Sequence, residues 1–532
     1  MKKFKIFISI IAVYFSANSC NDYLDVNENP NAVHQENILP SLIIPGAISQ
    51  THRIQATTMM RFGNLMMNSW AGNSYVFGGP FSDESTLSAV NSSFYDEIWD
   101  GIYTNVNNFA AVEKFANVNH KQDNYIIIAK VMKAFYLQYI VDLYGDAPYS
   151  ESFKGLQNLA PKYDNDTDMY KSLIANLDEA IALKLAANLT AEDAGAADIV
   201  FHGDMDKWEA FANTIKLRYL LRMSKVTGEL ATYRDQQLAT LSGANFINED
   251  VLENPGYNSS NDDSMNPFFL TYRLNSAGSA PQNYNLVTAS EHIAISLNGN
   301  LYNATESYYT KFNGIVDPRR SRLFSLINYN GVSQVKGIRQ GAAPGQPGVP
   351  LDNTSVSKLG AGNFSGSAAL SLTSGNRAGV IMSLAESKLL QAEAAVRYPS
   401  LFSGNGQTEF TQGIVASGLW LGATAGQMNA YITQISTKPG LGWTGTNAQK
   451  IEAIMTQKWL ALTNVNPTEM FIEYNRTGYP VTPMAANSIQ SNKPYRLVYP
   501  TSEYVANSAN VPNFATNAVF TKNQYTPFWN QN

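Results

Sequence analysis

Residues 125–143 read YIIIAKVMKAFYLQYIVDL, and wound as a helix they are apolar nearly all round. Such a helix persists only where neighbours bury it from every side. Gly145 and Pro148, just beyond, fit a helix stop. The neighbours are legible from the same periodicity. In 206–226, Trp208, Phe211, Ala212, Ile215 and Tyr219 recur at steps of three and four, and Asp206 and Glu209 have capping-box spacing. Segments 168–185, 381–396 and 451–462 carry the same period, while strand-like alternation is scarce. The predicted fold class is all-α.

Between about 255 and 380 the pattern breaks. Clusters of Asn, Gly, Ser and Pro interrupt every candidate element, culminating in GAAPGQPGVP at 341–350. So long an irregular stretch inside a compact domain is usually functional or disordered. Its aromatics (Phe268, Phe269, Tyr272, Tyr302, Tyr308, Tyr309) argue against disorder. The expected organisation is a helical scaffold over about 41–254 and 381–480, with a loop-rich ligand lobe over about 255–380 inserted between its halves. A second loop-rich stretch runs from about 480 to 532. Stacked helical hairpins suit this length, although no strict 34-residue repeat signature is present.

The first twenty residues have another logic. Lys2, Lys3 and Lys5 precede an apolar run from Ile6 to Phe15, followed by Ser16, Ala17, Asn18, Ser19 and Cys20. This is the layout of a secretory signal, and the run is shorter than the roughly 20 residues a bilayer-spanning helix needs. Cys20 is the sole cysteine, placed where a lipoprotein signal is cut, although Ala17 stands where a Leu is usual. The expectation is a signal peptide over 1–19, lipidation on Cys20, and a tether over 20–40. One cysteine forbids an intrachain disulfide, so the fold must rest on its core.

Charge excludes some partners. Removing 1–19 leaves 34 basic against 43 acidic residues, a formal −9 with no basic run. That argues against nucleic acid and against electrostatic docking on anionic lipid. Charged residues are only 15% of the chain and aromatics 11%. A surface poor in charge and rich in Asn, Ser, Thr, Gly and Tyr suits neutral, hydroxyl-bearing partners.

Catalytic signatures are missing. His34, His52, His120, His202 and His292 lack metal-ligand spacing, and there is no GxSxG, P-loop or GxGxxG. No metal and no cofactor is expected; Asp262, Asp263 and Asp317 carry oxygen ligands suited to structural calcium, but in no EF-hand spacing. Asp142 and Asp146, with Glu151 nearby, are the candidate acid pair for a glycosidase. Their position at a helix end favours capping or pairing with a buried Arg. Arg218 and Arg222, one turn apart, are expected to partner buried carboxylates.

What remains is a binding surface. Residues 66–81, MMNSWAGNSYVFGGPF, combine Trp70, Tyr75 and Phe77 with glycines and asparagines. Aromatic faces can stack on the CH faces of a sugar, and amides can pair its hydroxyls. The alternative is that these aromatics pack the loop onto the body.

Several segments in order resemble the SusD/RagB family of nutrient-binding outer-membrane lipoproteins. They are CNDYLDVNENPN (20–31), FYLQYIVDLYGDAPYSE (135–151), DMDKWEAFANTIKLRYLLRMS (204–224), SLAESKLLQAEAAVR (383–397), QKWLAL (457–462), EYNRTGYP (473–480) and PYRLVYPTSEYVANSAN (494–510). The resemblance implies a right-handed superhelix of tetratricopeptide-like helical pairs carrying a loop-rich lobe. It implies an outer-membrane, surface-exposed protein that caps a TonB-dependent, SusC-like transporter and binds a glycan, or in some branches a peptide, without cleaving it. By that analogy the ligand site lies where loop 66–81 meets the lobe. The predicted ligand-binding residues are Trp70, Tyr75 and Phe77, with Tyr272, Arg273 and Asn275 as weaker partners. A peptide-binding member, a carboxylate-dependent extracellular glycosidase and a purely structural transporter accessory are the competing readings.

Overall fold

A computed structural model describes residues 38–76, 79–347, 349 and 352–531. Cys20, the signal at 1–19, most of the tether and Phe77 lie outside the described residues. The main helices are α1 (Pro40–Ile54), α2 (Met60–Met66), α3 (Asp96–Lys114), α4 (Asp123–Tyr144), α5 (Asp166–Leu185), α6 (Met205–Arg222), α7 (Gly228–Thr240), α8 (Leu384–Arg397), α9 (Gly406–Trp420), α10 (Ala425–Ile435), α11 (Asn447–Leu462) and α12 (Pro467–Thr477). Strands among the described residues are two to four residues long and form only two-stranded pairs. The chain is all-α. No helix among the described residues is long and apolar enough to cross a membrane.

α4 is the buried helix that its composition requires. From Tyr125 to Tyr144 every residue but Lys130 is buried, against α3, α5, α6 and α1. Gly145, at φ 76, ends it. Consecutive helices pack on one another (α3 on α4, α4 on α5, α5 on α6, α8 on α9), and α8 and α12 close the two halves together through α6, α11 and α2. At the α2–α12 crossing Gly63 is required by proximity, since a Cβ there would lie 2.2 Å from the Pro467 carbonyl carbon. α6 starts two residues earlier than its capping-box spacing predicts. The cap is Asp204, whose carboxylate accepts from the Asp206 and Lys207 amides at 3.1 and 3.2 Å.

Both arginines of α6 meet carboxylates, as expected. Arg222 reaches Asp142 of α4 (3.2 Å) and Glu469 and Glu473 of α12 (2.7 and 2.9 Å). Lys458 of α11 bridges the same two glutamates at 3.3 and 3.1 Å. Arg476 joins Glu473 to Glu393 of α8, and Arg218 faces Glu386 of α8 at 3.4 Å. All nine side chains are buried. Four cations against five acids nearly balance, and Arg397 brings a fifth cation to Glu393. The sealed network lets so much charge enter the core. The chain's end closes it: Trp529 Nε1 donates to Asp142 Oδ1 at 2.8 Å and the ring lies under Arg222.

Strands β1 (Trp70–Gly72), β2 (Val251–Glu253), β3 (Val287–Ala289), β4 (Ile327–Tyr329), β5 (Val332–Gln334) and β6 (Gly379–Met382) organise the loop-rich part. β2 pairs antiparallel with β6, so the chain leaves the helical scaffold and returns to it at one place. β1 pairs antiparallel with β3, with Trp70 opposite Ala289, which fastens the early loop to the lobe.

Candidate functional site

The early loop begins where α2 stops. The chain reverses at Asn68, whose φ of 51° is one that Asn tolerates better than most residues. Asn68 then holds three parts of the molecule together. Its Nδ2 donates to Gln340 Oε1 of the lobe at 2.9 Å, and its Oδ1 accepts from Lys493 Nζ of the C-terminal loops at 2.9 Å. Its carbonyl accepts from the Ser290 hydroxyl. Gln340 completes the junction: its amide donates to the Leu65 carbonyl at 3.0 Å and its carbonyl accepts from the Ala486 amide at 2.8 Å.

Around this junction opens a cleft of about 400 Å³, within the span usual for small-molecule sites. The early loop and the short helix Ser82–Thr86 contribute Ser74, Phe81 and Ser85; the lobe contributes Gly341 and Pro344; the C-terminal loop contributes Asn487. Asn487 Nδ2 donates to Ser85 Oγ at 3.2 Å. Gly341, at φ 75, is demanded here, because a Cβ would fall 1.9 Å from Asn487 Oδ1. Ser74 Oγ is shielded from solvent and has no hydrogen-bond partner among the described residues. No charged side chain lines the cleft among the described residues. Hydroxyls, an amide and backbone groups face the space, so what it can do chemically is exchange hydrogen bonds with neutral polar groups.

The predicted site residues divide. Trp70 is a correction: it is 0% exposed, its Nε1 donates to Asn464 Oδ1 at 2.7 Å, and its ring meets Tyr272 edge-on at 5.0 Å. Tyr272 is 2% exposed, with its hydroxyl donating to the Thr57 carbonyl at 3.0 Å. Both rings brace the loop from behind and present no face to a ligand, because their apolar area is spent in the core. Tyr75 is half-buried on the same loop as Ser74. Arg273 lies over the Tyr284 ring at 4.6 Å, away from the cleft-lining residues, and Asn275 closes its own turn by accepting from the Ser279 amide at 2.8 Å. Ser74, Ser85, Gly341 and Asn487 were not singled out from the sequence. The signals were segmental: the early loop 66–81, which contributes Ser74 and Phe81, and the glycine- and proline-rich run at 341–350, which contributes Gly341 and Pro344.

The acids considered for catalysis are committed elsewhere. Asp142 is pushed up to about 6 by burial, opposed by Arg222, and accepts from Tyr170, Trp529 and Arg222. Asp146 accepts from the Asp166 amide at 2.9 Å, and Glu151 from the Lys162 amide at 3.1 Å. Of the calcium candidates, Asp317 is paired with the buried Arg319 at 2.6 Å and Asp262 accepts from the Ser276 amide and hydroxyl. No group of three or more His, Cys, Asp or Glu suited to a metal occurs among the described residues.

A family model described as SusD-like, "Starch-binding associating with outer membrane", matches residues 30–500. No curated protein matches the chain. Among solved structures, a chitin-binding SusD homologue from Flavobacterium johnsoniae superposes with a TM-score of 0.67 at 20% identity, covering 92% of this chain and 98% of that one. A SusD homologue from Bacteroides thetaiotaomicron gives 0.66 at 21%, over 93% and 100% of the two chains. A further chitin-binding protein gives 0.65 at 22%, over 89% and 95%.

Proposed function

This chain belongs to the SusD-like family, and on that premise we propose that it is a non-catalytic surface lipoprotein that captures an oligosaccharide and passes it to a TonB-dependent outer-membrane transporter. The observation that carries the reading is the cleft between Ser74, Gly341 and Asn487, furnished with hydroxyl and amide groups and with no charged side chain among the described residues. A neutral glycan exchanges hydrogen bonds with such walls without a charge to desolvate, whereas a peptide's termini would find no counter-ion there. The description of the family model and the chitin-binding names of two related structures favour a sugar as cargo.

The same inventory supports binding without cleavage: hydrolysis of a glycosidic bond usually uses two carboxyls flanking it, and no carboxyl lines the cleft among the described residues. The anchor is assigned to Cys20, whose lipid would hold the body at the membrane while leaving it free to move over a transporter. Calorimetry with chito-, malto- and xylo-oligosaccharides, alongside tripeptides, tests the reading. Binding of an oligosaccharide that weakens in Asn487→Ala is expected; binding of tripeptides alone, or release of shortened sugars, would overturn it. A Cys20→Ala protein that stays on the membrane would overturn the anchor.

A further inference from the structure

Exposed apolar side chains are ordinary on a protein surface when scattered and informative when they gather. Five gather at one end of the helical scaffold: Leu189 is 100% exposed, Leu42 72%, Val118 68%, Leu185 64% and Leu39 52%. They come from three stretches of chain, which are the start of α1, the link between α3 and α4, and the end of α5 with the loop after it.

Hydrogen bonds hold these stretches together. Thr190 Oγ1, beside Leu189, donates to the carbonyl of Asn119, beside Val118, at 2.5 Å. The Glu192 amide donates to the Lys121 carbonyl at 2.8 Å, and Asn124 Nδ2 to the Glu192 carbonyl at 2.8 Å. Ser41, flanked by Leu39 and Leu42, is hydrogen-bonded to Tyr125 near the start of α4, and the Tyr125 hydroxyl lies 3.5 Å from the Asp193 carbonyl. The five apolar side chains thus belong to one braced surface. The exposed charges among them, His120, Lys121, Glu192 and Asp193, are of mixed sign.

A patch of this kind marks contact with a protein partner or a membrane, and the course of the chain favours the membrane. Only the eighteen residues 20–37 separate Cys20 from Ile38, where the described chain starts, one residue before Leu39. They reach at most about 65 Å, and they join the body inside the patch. We propose that this surface rests on the lipid bilayer beside the acylated tether, its leucines entering the interfacial layer. The proposal rests on the reading of Cys20 as the lipid-bearing residue and adds what acyl chains on a flexible tether lack, a resting orientation for the body. Since the neighbouring charges are mixed, apolar insertion carries the contact rather than attraction to anionic lipid. α1, the turn Gln55–Met59 and α2 form one helical run leading from the patch, up to about 40 Å long. The early loop and its cleft stand at the far end of that run, clear of the lipid.

Lipid consumes the thiol of Cys20, the sole cysteine, so an introduced cysteine is the one site a thiol-reactive fluorophore can take. The full-length lipidated protein is labelled in turn at Leu42→Cys, Leu189→Cys and, as the control, Val505→Cys, in phosphatidylethanolamine–phosphatidylglycerol vesicles carrying a nitroxide-labelled lipid. Val505 is 79% exposed, on a short helix (Thr501–Ala506) whose Ser502 donates to Asp100 near the opposite end of α3. Labels at 42 and 189 should be quenched about threefold more than the label at 505, equally at low and high salt. Quenching at Val118→Cys should fall about threefold when Leu42→Glu and Leu189→Glu are added, while the protein still floats with the vesicles. Equal quenching at all three sites, quenching abolished by salt, or shielding of 42 and 189 that needs the transporter in the vesicle would overturn the proposal and leave the anchor standing. Protein that does not float with the vesicles would overturn the anchor and the proposal with it.

Discussion

A tryptophan beside glycines and asparagines can be a platform for a sugar or a brace for its loop, and an open face distinguishes them. Trp70 has none, and its indole N–H is already given to Asn464. Trp70→Ala should therefore cost roughly 3–5 kcal/mol of stability, read by urea denaturation, rather than act first on affinity. Asn487→Ala should do the reverse, weakening oligosaccharide binding about tenfold by removing a hydrogen-bonding amide with little change in melting temperature. Lys493 supplies a pH signature. It is buried with hydrogen bonds to Asn68 and Thr482 and, among the described residues, no anion, and burial depresses it to about 7. Unfolded, the lysine titrates near its ordinary 10.5, so between about 7 and 10.5 the unfolded chain holds a proton that the folded one lacks. Stability should accordingly rise with pH across that window, by up to about 1.4 kcal/mol per pH unit from this group. Denaturation at pH 7, 8 and 9 should show the slope in wild type and its loss in Lys493→Met; equal slopes would assign the effect elsewhere.

The helices were the legible elements. The apolar circumference of 125–143 and the three-four spacing of 206–226 are local patterns; the first became a helix within two residues of both expected ends, the second a helix that begins one residue early and ends at Arg222, four residues short. Even the partners of Arg218 and Arg222 were foreseeable in kind, because an arginine one turn from another on a buried helix must find carboxylates. Their identity was not: Glu386, Glu469 and Glu473 come from helices 160 to 250 residues further on, and no local pattern encodes that distance. The interhelical network also sets its own prediction. Arg222→Met leaves Asp142, Glu469 and Glu473 with one cation fewer in a sealed interior, and should cost about 3–5 kcal/mol. A double-mutant cycle with Glu473→Gln should show the two losses to be strongly non-additive; additive losses would mean that solvent reaches the network. The cleft was the illegible part. Its serines lie in one early stretch and Asn487 is 402 residues beyond Ser85, and a lone Ser or Asn in a loop carries no signal until the fold assembles it.

For the molecule as a whole, the seam between the two helical halves is electrostatic as well as apolar. α4 and α6 hold Asp142, Arg218 and Arg222; α8 and α12 hold the glutamates that meet the arginines, and α11 adds Lys458 to the α12 pair. Trp529 seals the seam from the last residues of the chain. Deleting residues 527–532 should thus unseat Asp142 and lower stability by about 3–5 kcal/mol, as loss of a buried tryptophan does, with thermal denaturation as the readout. The geometry of that seam also governs the order of events in time. A ribosome or a secretion pore delivers the first half while its counter-charges are still hundreds of residues away. Closing the early helices prematurely would strand two arginines in a dry interior with one aspartate between them. A first half without its counter-charges thus gains little from closing, and Trp529 adds one more partner to Asp142 once the second half has docked.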